Sequence, residues 1–130
     1  MADSGVPSLV VHQADQQDRT IPLHGDGYRL GREDILEVPL NHPAISRLHA
    51  LLERRGRHWL LIDQDSTNGI WWRGRRVREL ELRDGDRVAL APASEAGSPT
   101  LRFINPREHT GRRLAWLTGA LVMAGLSTTG

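Results

Sequence analysis

The chain has 130 residues, 38% hydrophobic and 25% charged, and its 17 basic side chains against 16 acidic ones give a formal net charge of +1. That length suits one core with tails, at ~100–200 residues per domain, and excludes a two-domain enzyme closing over its substrate. The near-balance of charge supplies no bulk field for nucleic acid, so an anion site has to be local, and the absence of cysteine excludes disulfide scaffolds, thiol nucleophiles and Cys-ligated zinc.

The first residues, Met1 to Gly5, have neither the positive start nor the apolar stretch of a secretory signal, which predicts a cytosolic start; residues 1–7 read as a tail. From residue 8 to 104 there is no sustained 3.6-residue apolar period. Short apolar runs alternate instead with Gly, Pro, Asn and Asp, the rhythm of a sandwich or barrel. Strands are predicted over 8–12, 19–23, 28–31, 47–53, 59–63, 70–72, 87–90 and 100–104, arranged as two twisted, mainly antiparallel sheets. Turns are predicted at Gly25 to Gly27, Gly56, Asn68-Gly69, Arg73-Gly74 and Asp84-Gly85-Asp86, where positive φ or an Asx turn costs little. Two adjacent Trp, Trp71 and Trp72, must point to opposite faces of their strand. One can fill the core, and the other is then capped by neighbouring Arg or offers a second contact surface.

Residues 105–113, with Pro106 and Gly111 as breakers, read as a polar linker. Residues 114–130 carry no charge, and Leu114 to Leu126 is apolar on every side of a helical wheel, too uniform for a surface helix. As a helix this segment reaches about 25 Å at ~1.5 Å per residue, a little short of a ~30 Å hydrocarbon core. The preceding Arg112-Arg113 and Trp116 suit the cytoplasmic side of a membrane. The segment therefore reads as the start of a membrane-spanning helix, with docking on the sandwich or on a partner as the alternative.

Three clusters carry polar or Gly residues at predicted strand ends and loops: Gly31-Arg32, Ser46-Arg47-Leu48-His49-Ala50 and Asp65-Ser66-Thr67-Asn68-Gly69. A rigid sandwich displays recognition residues at such places. Converging, they offer two guanidinium forks, hydroxyls and an amide, a donor set whose natural ligand is a phosphate. All 17 basic residues are Arg, which favours bidentate anion contacts, although GC-rich coding is the plainer reason. The six scattered His form no i, i+4 pair beside a Glu, so neither a metal nor another cofactor is expected.

In this order the clusters resemble the forkhead-associated (FHA) domain, a β-sandwich module that binds phosphothreonine peptides. The resemblance rests on Gly31-Arg32, Ser46-Arg47-Leu48-His49-Ala50, Ser66-Thr67-Asn68-Gly69, Gly74 and Leu82-Arg83-Asp84-Gly85-Asp86, and covers about residues 8–104. It implies that Arg32, Ser46 and Arg47 contact the phosphate, that Thr67 helps cradle the phosphothreonine and that Asn68 bonds the peptide main chain. Gly31, His49 and Gly69 are implied to support the site without touching the ligand. Ile70-Trp71-Trp72-Arg73 departs from the family's usual Thr, apolar pair and Asn.

The expected function is a non-catalytic reader of phosphothreonine proteins acting downstream of a Ser/Thr kinase, in the cytoplasm at the inner face of a membrane. A phosphorylation-independent structural or dimerising module is the alternative. A hydrolytic triad of Ser46 and His49 with Asp63 or Asp65 is disfavoured, because an odd spacing on one regular strand puts Ser46 and His49 on opposite faces. Nucleic acid is not an expected partner, since neither net charge nor an aromatic stacking platform supports it.

Overall fold

Alternation of period two decides which side chains of each strand turn inward. In the computed structural model, which describes residues 5–107, Leu9 and Val11, Leu101 and Phe103, Trp59 and Leu61 are all buried while their neighbours along the strand are more exposed. The strands are β1 (Ser8–His12), β2 (Arg19–Pro22), β3 (Gly27–Gly31), β4 (Val38–Pro39), β5 (Ala50–Arg55) and β6 (His58–Asp63), followed by β7 (Ile70–Trp72), β8 (Arg75–Val77), β9 (Glu79–Leu82), β10 (Arg87–Ala89) and β11 (Thr100–Ile104). They form a six-stranded sheet, in the order β2-β1-β11-β10-β7-β8, and a five-stranded sheet, in the order β4-β3-β5-β6-β9. All pairings are antiparallel except β3 with β4. The core lies between the sheets, with Leu9, Ile70, Val88 and Phe103 of one meeting Leu30, Leu52, Trp59 and Leu61 of the other.

The all-β sandwich predicted from sequence is therefore present, with one correction and three additions. The strand expected over 47–53 begins only at Ala50. Arg47 and Leu48 are exposed and His49 is wholly buried, a pattern that does not alternate. The added strands are β4, β8 and β9. A two-residue hairpin creates β8: Arg73 and Gly74 both take positive φ (51° and 78°), the type I′ geometry that pairs Trp72 with Arg75. Gly56, Gly69 and Gly85 also take positive φ. Gly25 and Gly27 do not; that turn closes instead on the Tyr28 hydroxyl, which accepts the Gly25 N–H at 2.6 Å.

Among the described residues no helix is long and apolar enough to cross a membrane. The apolar segment 114–130 and most of the linker before it lie outside the described residues.

Candidate functional site

Gly31 ends β3 and opens the loop carrying Arg32. A Cβ on Gly31 would lie 2.2 Å from the Arg47 carbonyl oxygen, so only glycine lets the β3–β4 and β4–β5 connections pass this closely. The contact is then sealed by backbone bonds, Arg32 N–H to the Ser46 carbonyl at 3.0 Å and Leu40 N–H to the Gly31 carbonyl at 2.7 Å. Arg29 and Glu37 clamp the base of the Arg32 loop: Glu37 accepts the Arg29 backbone N–H, Nε and Nη2, at 2.8, 2.9 and 2.8 Å. Those Arg29 hydrogen bonds hold the Glu37 carboxyl down at about 2.

His49 is the hub of the next layer. Its Nδ1 accepts the Ser46 backbone N–H at 3.1 Å and its Nε2 faces the Gly69 carbonyl at 2.9 Å. An amide can only donate and a carbonyl only accept, so the ring is neutral with its proton on Nε2. Burial pushes the His49 pKa down, with the Arg76 charge adding to that and the Gly69 carbonyl and Asp63 opposing it. One imidazole thus ties the β4–β5 loop to the β6–β7 loop from inside.

Other side chains tie the same two loops nearer the surface. Ser46 Oγ accepts the Thr67 N–H at 3.0 Å, which leaves the Ser46 hydroxyl proton for another acceptor. Asn68 Nδ2 donates to the Ala44 carbonyl at 2.8 Å, and its side-chain oxygen has no described partner. Ser66 Oγ donates to Asp63 and accepts the Gly69 N–H at 2.9 Å, closing the turn in which Gly69 takes φ +83°. Arg32 spends one nitrogen on the Ile45 carbonyl at 2.8 Å while the rest of its exposed guanidinium has no described partner. Arg47 joins through its backbone, its carbonyl accepting the Glu33 N–H at 3.4 Å; its exposed side chain meets no described partner.

The eight residues singled out in the sequence, Gly31, Arg32, Ser46, Arg47, His49, Thr67, Asn68 and Gly69, are thus brought together in one set of packed loops, Arg47 through its backbone alone. The opposite-face geometry expected of Ser46 and His49 on one regular strand is not what keeps them from forming a triad. Ser46 and His49 precede β5 and do not share a strand; what separates them chemically is that His49 Nδ1 is taken by the Ser46 amide, not its hydroxyl.

Arg76 is a site neighbour that motif reading misses. From β8 its Nη2 donates to the Ser66 and Thr67 carbonyls at 3.2 and 3.4 Å. Its side chain lies so flat across Gly69 that a Cβ there would be 2.3 Å from Nε. It therefore holds the Thr67–Asn68 turn from outside, opposite the imidazole. The positive φ required at Gly69 and an Arg shortly after the next hairpin turn are its only signals in sequence.

The sequence and the fold are similar to those of known proteins. The ABC transporter ATP-binding/permease protein Rv1747 of Mycobacterium tuberculosis is 32% identical over 90 residues, 69% of this chain and 10% of that protein. The crystal structure of its FHA-1 domain superposes with a TM-score of 0.61 at 33% identity, over 77% of this chain and 97% of that one. The family model of the FHA domain matches residues 28–91. The chain belongs to the FHA domain family. A further FHA chain, solved in a structural and functional analysis of phosphothreonine-dependent FHA domain interactions, is 28% identical with a TM-score of 0.62, over 75% of this chain and 95% of that one. The matched FHA segment contains every residue of the loop network but not β1, β2 or β11, which complete the six-stranded sheet. Against the transporter protein as a whole, the chain spans a tenth of the length.

Proposed function

We propose that this FHA domain is a non-catalytic reader of phosphothreonine in proteins modified by a Ser/Thr kinase. Arg32, Ser46 and Arg47 take the phosphate, Thr67 cradles the phosphorylated residue, and the Asn68 side-chain oxygen accepts a main-chain N–H of the peptide. The observation that carries this reading is the set of donors left over once the loops have bonded each other: the open part of the Arg32 fork, the Ser46 hydroxyl proton and the Arg47 guanidinium. Such a set is preorganised for a dianion with three acceptor oxygens. The FHA chain studied for phosphothreonine-dependent interactions supports the same choice of ligand.

Catalysis finds no support in this geometry, because both ring nitrogens of His49 are engaged by backbone groups and, among the described residues, the Ser46 hydroxyl is bonded to the Thr67 N–H and to no carboxylate or imidazole. Location in the cytoplasm, at the inner face of a membrane, is supported by the likeness to part of a transporter protein and by the Arg112-Arg113 pair before the apolar segment.

Fluorescence anisotropy of a degenerate phosphothreonine peptide pool, beside phosphoserine, unphosphorylated and Glu-substituted pools, tests the reading. Selective phosphothreonine binding that Arg32→Ala abolishes is the expected result. Equal weak signals from all pools would overturn it in favour of a phosphorylation-independent module.

A further inference from the structure

The outer face of the six-stranded sheet holds an electrostatic conflict that the phosphothreonine site does not use. Arg87 of β10 and Arg102 of β11 are cross-strand partners in register. Both are exposed, and neither has a carboxylate or hydrogen-bond partner among the described residues. Like charges directly opposite each other weaken a sheet. Nothing in the core demands them, since the inward neighbours Val88, Leu101 and Phe103 do the packing.

The pair borders a groove of about 520 Å³. Along the strands, the next outward-facing row is Trp71, Ala89 and Thr100, in register across β7, β10 and β11. Ala89 and Thr100 form a shallow floor because their side chains are small, and half-buried Trp71 stands beside them as a wall. The Trp71 Nε1–H donates to the Asn68 carbonyl at 2.6 Å, which fixes the indole. The Asp18 carboxylate is the only acidic group lining the groove, and it is held by His12 at 2.7 Å. The groove is therefore apolar at one row and cationic, without a counterion, at the next.

The geometry points to this groove as a second binding surface, for an extended acidic protein segment bearing an apolar residue and, two positions on, a carboxylate. Side chains at i and i+2 of an extended chain stand about 7 Å apart on one face, the spacing of the two rows. The apolar side chain lies against Trp71 over Ala89 and Thr100, and the carboxylate lies between Arg87 and Arg102, relieving their repulsion. A duplex nucleic acid or a lipid surface matches less well. Both need a broad basic face, whereas here three arginines, Arg73, Arg87 and Arg102, line a single groove beside small apolar side chains, on a chain of net charge +1.

The test is an NMR titration of the isotope-labelled 130-residue chain with a peptide of repeated Ser-Leu-Ser-Glu, beside repeated Ser-Leu-Ser-Gln, a DNA duplex and anionic phosphatidylserine vesicles. The Glu peptide should shift the Trp71 indole N–H and the Arg87 and Arg102 Nε–H signals. Arg87→Gln/Arg102→Gln should weaken it about fivefold, two exposed ion pairs being lost. Because the double variant removes a like-charge pair, it should unfold no more readily than the parent. Arg32→Ala should leave this titration unchanged, which separates the groove from the phosphothreonine reading. Three results would overturn the assignment: no shift with the Glu peptide, equal shifts with the Gln peptide, or a double variant that binds the Glu peptide as tightly as the parent. Shifts of these signals produced by DNA or vesicles but not by the Glu peptide would overturn it as well.

Discussion

His49→Ala is the substitution that weighs the loop network most directly. The imidazole is wholly buried and satisfies two backbone groups of different loops, the Ser46 N–H and the Gly69 carbonyl. Leaving a buried polar group without its partner costs about 1–3 kcal/mol, so the two together cost roughly 2–6 kcal/mol, before the cavity left by the ring adds its share. A domain of this size is held by about 5–15 kcal/mol, and the variant should lose a large part of that. Urea unfolding followed by tryptophan fluorescence should show a markedly lower midpoint at an unchanged slope. His49→Gln, which carries both an acceptor and a donor, should recover part of the loss, whereas a purely volume-filling His49→Leu should not. A loss below about 1 kcal/mol in His49→Ala would refute the claim that this ring cross-links the loops, since even one orphaned group exceeds it.

Acid should act on the same ring. Burial lowers the folded His49 pKa, so below the ordinary value of ~6.5 the unfolded chain binds a proton that the folded chain resists. His49's contribution is then complete above that value and is lost as pH falls toward the lowered folded one; the urea midpoint of the parent should decline over this window more than that of His49→Gln. Gly31→Ala should destabilise the fold by about 1–3 kcal/mol or more by overpacking, because the new Cβ meets the Arg47 carbonyl, a backbone atom; thermal unfolding measures it, and an unchanged midpoint would contradict the close approach. Arg76→Ala should weaken phosphothreonine-peptide binding about three- to tenfold, corresponding to partly exposed hydrogen bonds from a charged donor, with Arg76→Lys intermediate. Anisotropy reads the affinity, and unaltered binding in Arg76→Ala would remove Arg76 from the site.

The part of this molecule legible in the sequence is the part where one residue type answers one geometric demand. Short apolar runs mark β1, β5 and β6, apolar alternation marks β11, and glycines at 56, 69, 74 and 85 mark turns that do take positive φ. The limits of that reading are equally physical. β4 is two residues long and β8 is Arg75-Arg76-Val77, so neither offers a period to detect; the first is fixed by pairing with β3 and the second by its hairpin turn. β9 is different, because Glu-Leu-Glu-Leu over Glu79–Leu82 carries the period-two signal in only four residues beside a turn motif. At the site, the motif residues announce themselves by type and order, but their partners are backbone atoms supplied by distant loops: the Ala44 and Ile45 carbonyls for Asn68 and Arg32, and the Gly69 carbonyl for His49. Any residue type could supply those carbonyls, so no sequence pattern can point to them. Arg76 stands between the two cases. Its side chain is specific, yet the contacts it makes are to the Ser66 and Thr67 carbonyls, and among 17 arginines only the fold shows which one lies across Gly69.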